Sequence, residues 1–118
     1  MEEKDAVSTL AALAQSGRLG VFRLLVKAGP GGLPAGEIAR QLGVLPNTLS
    51  ASLKVLCHAG LACSHREGRS IIYRADYARM GELLAYLMAD CCHGRPEVCA
   101  PAIASLASCC TGEVRPDA

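Results

Sequence analysis

Cysteine is the residue type whose number and spacing in this chain suggest chemistry. The chain has seven cysteines, and five of them fall within residues 91–110: Cys91, Cys92, Cys99, Cys109 and Cys110. The total is odd and no export signal is recognisable at the start of the chain, so the disulfide scaffold of a small secreted protein is disfavoured. Clustered thiols that stay reduced in the cytoplasm indicate either a metal site or a redox switch.

Three of these cysteines have the spacing of a shared thiolate site. Thiolates are soft ligands for trivalent arsenic, antimony, cadmium, zinc or copper(I), and arsenic is satisfied by three sulfurs. Adjacent residues of a regular helix point about 100° apart, so Cys91 and Cys92 can share one ion only where the helix ends. Gly94 and Pro96 supply that ending, and the short loop allows Cys99 to fold back. We therefore predict a metal site at Cys91, Cys92 and Cys99.

The other candidate ligands receive a different interpretation. Cys57 and Cys63 are predicted to be packing residues or free thiols. Whether Cys109 or Cys110 joins the site stays open, and His93 is predicted to be a solvent-facing loop residue. Two alternative functions also stay open: a redox switch in which cysteines form a disulfide, and a sensor of cadmium or zinc. An enzyme is disfavoured, because no His and Asp or Asn pattern activates a cysteine and no glycine-rich phosphate loop occurs; no organic cofactor is expected.

The pattern of apolar residues predicts a mainly helical domain with one β-hairpin. Helical spacing covers Val7–Ala14 and Leu19–Val26, and a third and fourth helix are predicted over Pro34–Leu42 and from Pro46 to about His58. Strands at Leu61–His65 and Ser70–Arg74 flank a turn at Glu67-Gly68, and a long helix runs from about Tyr77 to no further than Arg95. We predict one domain over residues 1–92 and a cysteine-rich C-terminal segment over 93–118, with a short helix within 101–110.

The third and fourth helices, joined at Gly43-Val44-Leu45, have the pattern of a helix-turn-helix. A helix in the major groove of DNA reads bases with short polar side chains, while cations hold it on the phosphates. In the fourth helix, Leu49, Leu53 and Leu56 form the inward stripe. The predicted DNA-contacting positions are Asn47, Thr48, Ser50, Ser52 and Lys54, with Arg66 and Arg69 on either side of the tip of the hairpin.

Several motifs in this order resemble the ArsR/SmtB metalloregulatory repressors. They are Ala14–Leu19 (AQSGRL), Leu42–Leu56 (LGVLPNTLSASLKVL), Ala59–Leu61 (AGL) and Arg66–Arg69 (REGR) through Tyr73, within a likeness that covers roughly residues 6–92. The resemblance implies a homodimeric winged helix-turn-helix, dimerised by the first helix and the helix near 77–92, that leaves its operator DNA when metal binds. Members often carry bulky or His residues where this chain has Ala51 and Ser52, so Ala51 joins the predicted DNA-binding positions and the operator sequence stays open.

The resemblance also bears on the position of the sensing site, because two ligand motifs of the family are missing from this chain. Some arsenic-responsive members carry Cys-x-Cys at the start of the third helix, where this chain has Pro34 and Gly36, and the Asp/His and His/Glu pairs of zinc-responsive members are missing from its long helix. Sensing is therefore assigned to the cysteines after residue 90. The expected function is a cytoplasmic repressor of double-stranded operator DNA with trivalent arsenic or antimony as inducer. No apolar run approaches the roughly 20 residues that span a membrane, and the net charge of +1 means that DNA contact depends on a local basic patch.

Overall fold

A computed structural model describes residues 1–89, 95, 97, 100–102 and 104–106 of the chain. The elements follow one another as α1 (Glu3–Leu13), α2 (Ser16–Ala28), β1 (Leu33–Pro34), α3 (Ala35–Leu42), α4 (Pro46–His58), β2 (Ala62–Glu67), β3 (Ser70–Ala75) and α5 (Tyr77–Met88). The α3–α4 pair forms the helix-turn-helix and the β2–β3 hairpin forms the wing, which confirms the predicted winged helix-turn-helix.

The chain divides into two compact units, Met1–Tyr86 and Leu87–Ala118. The first unit holds the sheet, α1 to α4 and most of α5. In the second unit, residues 97, 100–102 and 104–106 are helical; those from 101 onward fall within the stretch 101–110 for which the sequence predicts a short helix. The functional division into residues 1–92 and 93–118 stays a prediction.

Arg18 fixes the corner between α1 and α2. Its Nε donates a hydrogen bond to the carbonyl oxygen of Ala12 at 2.7 Å, and its Nη2 donates to that of Ala11 at 3.3 Å. These carbonyls belong to the last turn of α1, where the helical ladder ends; that of Ala11 also accepts from the backbone N–H of Ala14 at 3.2 Å. On the other side of the corner, the side chain of Gln15 accepts from the backbone N–H of Arg18 at 2.8 Å and caps α2.

The turn between α3 and α4 lies where the sequence predicts it. Gly43 ends α3 in the left-handed region with φ 65°, a conformation that costs glycine little, and Val44 N–H donates to the carbonyl of Ala39 at 3.2 Å. Pro46 is the first residue of α4, where its missing N–H and fixed φ suit a helix start.

The hydrophobic core lies beneath α4. Its centre is formed by fully buried side chains from α2, α3, α4 and the residue just before β2, namely Leu25, Ile38, Leu56 and Leu61. The predicted inward stripe of α4 is confirmed, since Leu49, Leu53 and Leu56 are all buried. Packing this stripe orients the opposite face of α4 toward solvent.

β3 is the central strand of an antiparallel sheet in the order β1-β3-β2. The predicted start of the third helix at Pro34 was wrong, because Leu33 and Pro34 pair with Tyr73 and Ile72 and α3 begins at Ala35. Gly32 permits this approach. It has φ 70°, and a Cβ at this position would collide with the carbonyl oxygen of Tyr73.

The wing is a regular hairpin in which Ala62 pairs with Ala75 and Glu67 with Ser70. Its strand β2 extends two residues beyond the predicted end at His65, so the two-residue turn is Gly68-Arg69 and not Glu67-Gly68. Gly68 has φ 60°, which a tight hairpin turn requires. Arg69 therefore lies in the turn itself.

The start of α5 at Tyr77 is confirmed. The Asp76 side chain accepts from the backbone N–H of Arg79 at 3.0 Å, and the Tyr77 hydroxyl donates to the carbonyl of Val26 at 3.0 Å, which ties α5 to α2. Within the described ranges, no helix has the length and apolar character needed to cross a membrane.

Candidate nucleic-acid interface

The solvent-facing side of α4 carries most of the predicted DNA-contacting residues. Because the core takes Leu49, Leu53 and Leu56, the helical period turns the intervening side chains outward. Ser52 differs from the rest of the set, since it is half-buried. The exposed members are Asn47, Thr48, Ser50, Ala51 and Lys54.

A notch brings α3, α4 and the wing together on this side of the molecule, and we call it the wing notch. It has a volume of about 390 Å³ and joins Ser50 of α4 to Arg69 in the wing turn, 19 positions later in the chain. Its lining consists of Pro34, Ala35, Gly36, Ser50, Arg69, Ser70, Ile71 and Tyr73. One concave surface therefore combines a small hydroxyl side chain of the helix with a cation of the wing.

The two wing arginines are free to meet an anion. Arg66 and Arg69 are exposed, and neither lies within ion-pair distance of a carboxylate in the part of the chain that the structure describes. The nearby Glu67 instead has its Oε1 3.9 Å from Nε2 of His65. The positive charge of the tip is thus not neutralised locally.

The arginine of α3, unlike those of the wing, is paired with a carboxylate. Arg40 forms a short bidentate ion pair with Glu37, and Gln41 donates a further hydrogen bond to the same carboxylate. The hydrogen bond from Arg40, followed by that from Gln41, lowers the pKa of Glu37 to about 2. Glu37 is charged at neutral pH, so it offsets the charge of Arg40 and leaves the cations of the interface on α4 and the wing.

Leu45 is a residue that the sequence analysis did not select. It occupies the N-cap position of α4, has no capping side chain, and is 73% exposed. A leucine beside the start of a reading helix can contact the methyl group of thymine, an apolar feature of the major groove. The sequence signal that could have identified it is its position directly before Pro46, the predicted first residue of the fourth helix.

Cys57 and Cys63 lie outside this surface. Cys57 is half-buried against the hydrophobic core, and burial, followed by the neighbouring Cys63, raises the pKa of its thiol. Cys63 Sγ lies 4.0 Å from the carbonyl oxygen of Arg74. A thiol with a raised pKa is mostly protonated and a poor nucleophile or ligand at neutral pH, which agrees with a packing role for Cys57.

The predicted metal site falls outside the described residues. Cys91, Cys92 and Cys99 belong to this part of the chain, as do His93 and the pair Cys109-Cys110. Among the residues that the structure does describe, no group of three His, Cys, Asp or Glu side chains has the arrangement of a metal site.

Apolar side chains are exposed on α1 and α5, the two helices that the resemblance assigns to dimerisation. Val7 is 60% exposed and Leu10 41% exposed on α1, and Leu84 is 39% exposed on α5. On α1 the buried residues Ala6, Thr9 and Ala12 take the inner face, so Val7 and Leu10 share the outer one. Such faces mark interaction surfaces in soluble proteins.

Comparisons with known proteins extend these observations. Residues 13–62 match a family model described as a helix-turn-helix domain. The regulator NmtR of Mycobacterium tuberculosis, an HTH-type transcriptional regulator, is 36% identical over 80 residues, which are 68% of this chain and 64% of NmtR. The chain thus spans 64% of the length of this curated relative.

Two solved structures are similar in fold and sequence. One is the homodimeric winged helix-turn-helix DNA-binding domain of a possible ArsR-family transcriptional regulator from Mycobacterium bovis, with 30% identity and a TM-score of 0.58 over 74% of this chain and 81% of that one. The other is the antimony-specific transcriptional repressor AntR, with 28% identity and a TM-score of 0.59 over 73% of this chain and 77% of that one.

Proposed function

Since the chain belongs to the ArsR/SmtB family of winged helix-turn-helix regulators, we propose that it is a homodimeric repressor of transcription. It binds double-stranded operator DNA and releases it when trivalent arsenic or antimony binds cysteine thiolates. Such a protein works in the cytoplasm, where thiols are kept reduced.

The wing notch is the observation that carries DNA binding. With α4 in the major groove, Asn47, Thr48 and Ser50 face base edges, and Lys54 lies farther along the helix toward the backbone. Arg69 in the wing turn reaches phosphates or the adjacent minor groove from the other side of the notch. Ser50, a residue proposed to select sequence, and Arg69, a residue that supplies charge, thus line one notch.

A two-fold dimer gives this surface its operator geometry. The exposed apolar residues Val7, Leu10 and Leu84 support an interface between the α1 and α5 helices of two copies. The similarity to the homodimeric domain from Mycobacterium bovis supports the same assembly. Two reading helices then meet half-sites separated by about one duplex turn, roughly 34–36 Å, or by multiples of it.

The inducer site is proposed at Cys91, Cys92 and Cys99, on their thiolate chemistry and spacing. The similarity to an antimony-specific repressor supports a trivalent ion of this class. Release of DNA requires the ion to bind the DNA-free arrangement of the dimer more tightly than the DNA-bound one. By linkage, DNA must weaken ion binding by the same factor.

Selection of duplexes from a random pool tests the DNA-binding half of this proposal. We expect a pseudo-palindromic sequence bound by two protomers, with affinity that falls steeply with salt. An Asn47→Ala or Ser50→Ala variant should change the preferred sequence, whereas Lys27→Ala, which removes an exposed cation from the end of α2, should not. Failure to enrich any duplex would refute the proposed function.

Serine substitutions test the inducer half. We expect Cys91→Ser, Cys92→Ser and Cys99→Ser each to bind operator normally and to lose most of the response to arsenite, while Cys57→Ser responds as the wild type does. A fully responsive Cys99→Ser protein would move the third ligand to Cys109 or Cys110. Full response in all three variants would refute the site, and release by an oxidant alone would favour a redox switch.

A further inference from the structure

A second concave surface lies between α4 and α1. This α1–α4 cavity has a volume of about 550 Å³, within the range of small-molecule sites. Its lining is Ser8, Ala11, Ala12, Arg18, Lys54, Val55, His58 and Ala59, all within the first compact unit. Among the described residues its lining holds no thiol that could bind arsenic, and Lys54 is its only member with a proposed contact to DNA.

The lining of the cavity combines apolar side chains with basic ones. Alanines of both helices and Val55 make an apolar floor, while Arg18 and Lys54 bring two positive charges and His58 brings an imidazole. No carboxylate lines the cavity, and neither Arg18 nor Lys54 is in an ion pair within the described residues. A ligand that matches this lining has an apolar body and a negative group.

The guanidinium of Arg18 is held in place without losing its charge. Its bonds to the Ala11 and Ala12 carbonyls use two of its five N–H donors and involve no carboxylate. The remaining donors are available to an anion, and the side chain is already ordered. This arrangement lowers the entropy cost of binding an anion.

The ends of the two helices do not repel a negative group strongly. Helix C-termini carry partial negative charge on their free carbonyls. Here the carbonyls of Ala11 and Ala12 in α1 accept from Arg18. Those of Val55, Leu56 and Cys57 in α4 accept from the backbone N–H groups of Ala59, Leu61 and Gly60, respectively. These five carbonyls thus already have hydrogen-bond donors, and a guanidinium lies beside the two of α1.

We propose that the α1–α4 cavity binds a small amphipathic anion, an aromatic or aliphatic carboxylate, with its apolar body on the alanine floor and its carboxylate between Arg18, Lys54 and His58. The site does not depend on DNA binding by the protein. Where the proposed function holds, a ligand there occupies Lys54 and competes with the DNA backbone for it.

Binding of a fluorescent probe to the full chain without DNA tests the site. Anilinonaphthalene sulfonate brightens in apolar surroundings, and the chain has no Trp to interfere with the signal. Its neutral counterpart, N-phenylnaphthylamine, has the same rings without the anion. We expect one sulfonate probe per protomer, displacement by naphthoate, and weaker binding of the neutral compound.

Variants locate the probe. Lys54→Ala and His58→Ala should each weaken sulfonate binding by about twofold to fivefold, the effect of one exposed polar contact, and leave binding of the neutral compound unchanged. Lys27→Ala, which removes an exposed cation outside the cavity, should have no effect. Equal affinity for both compounds, or sulfonate binding that is insensitive to Lys54→Ala and His58→Ala, would overturn the proposal, while failure of operator binding would not affect it.

Discussion

Replacing Arg69 by Ala should reduce the salt dependence of operator binding by a calculable amount. Arg69 is exposed in the wing turn and has no carboxylate partner in the described part of the chain. Its positive charge is therefore available to a DNA phosphate, and the alanine variant loses that contact. Each phosphate contact contributes about 0.9 to the slope of log affinity against log salt, and a dimer carries two copies of Arg69, so the slope should fall by about 1.8. Over a fourfold change in salt this amounts to about a 12-fold change in the ratio of wild-type to variant affinity.

Fluorescence anisotropy of a labelled duplex between 50 and 200 mM salt, a range in which protein–DNA affinity changes by orders of magnitude, measures this slope. Lys27→Ala removes the same charge from the end of α2 and serves as the matched control, with no expected change in slope. The sequence preference should be the same for all three proteins, because phosphate contacts carry no base information. An Arg69→Ala protein with the wild-type slope would show that the wing does not touch the backbone.

Further predictions concern the turn, the dimer and the start of α4. Gly32→Ala should destabilise the fold by more than about 1 kcal/mol in urea unfolding, because φ is positive there and the new Cβ meets the carbonyl of Tyr73; unchanged stability would contradict the observed β1–β3 approach. Leu10→Glu should yield monomers in sedimentation at micromolar concentration while circular dichroism stays unchanged, since Leu10 is exposed on the proposed interface; a persistent dimer would place the interface elsewhere. Leu45→Ala should abolish the difference in affinity between operators with thymine and with uracil, which lacks the methyl group, and a difference that survives would assign methyl recognition to another residue.

The sequence predicted most of the fold because its signals are local. The leucine stripe of α4, the break at Gly43 and Pro46, and the start of α5 after Asp76 all depend on residues within one or two helical turns of each other. β1 was missed because Leu33 and Pro34 are too few to show alternation and pair only through contact with β3. The wing turn was placed one residue too early, because the exact register depends on cross-strand pairing.

The DNA-contacting residues could be predicted from the sequence where they lie on a single element, the helix α4. Exposure of Asn47 and Ser50 follows from the period of α4, but the notch that joins Ser50 to Arg69 depends on how the wing packs beside the helix. The α1–α4 cavity is likewise lined by residues from positions 8 to 59, and no spacing pattern in the sequence predicts it. The cysteine site depends on Cys91, Cys92 and Cys99, which lie outside the described residues, so it stays a prediction from chemistry.

The affinity of wild-type protein for its selected operator, measured with and without arsenite, tests the central claim most directly. The reductant should be a phosphine, because a dithiol would itself chelate the arsenic. We expect stoichiometric arsenite to weaken operator binding by at least about tenfold, within the usual range of coupling between sites, and an excess of a competing dithiol to restore it. An operator affinity that is the same with arsenite, with antimonite and without either ion would contradict the account.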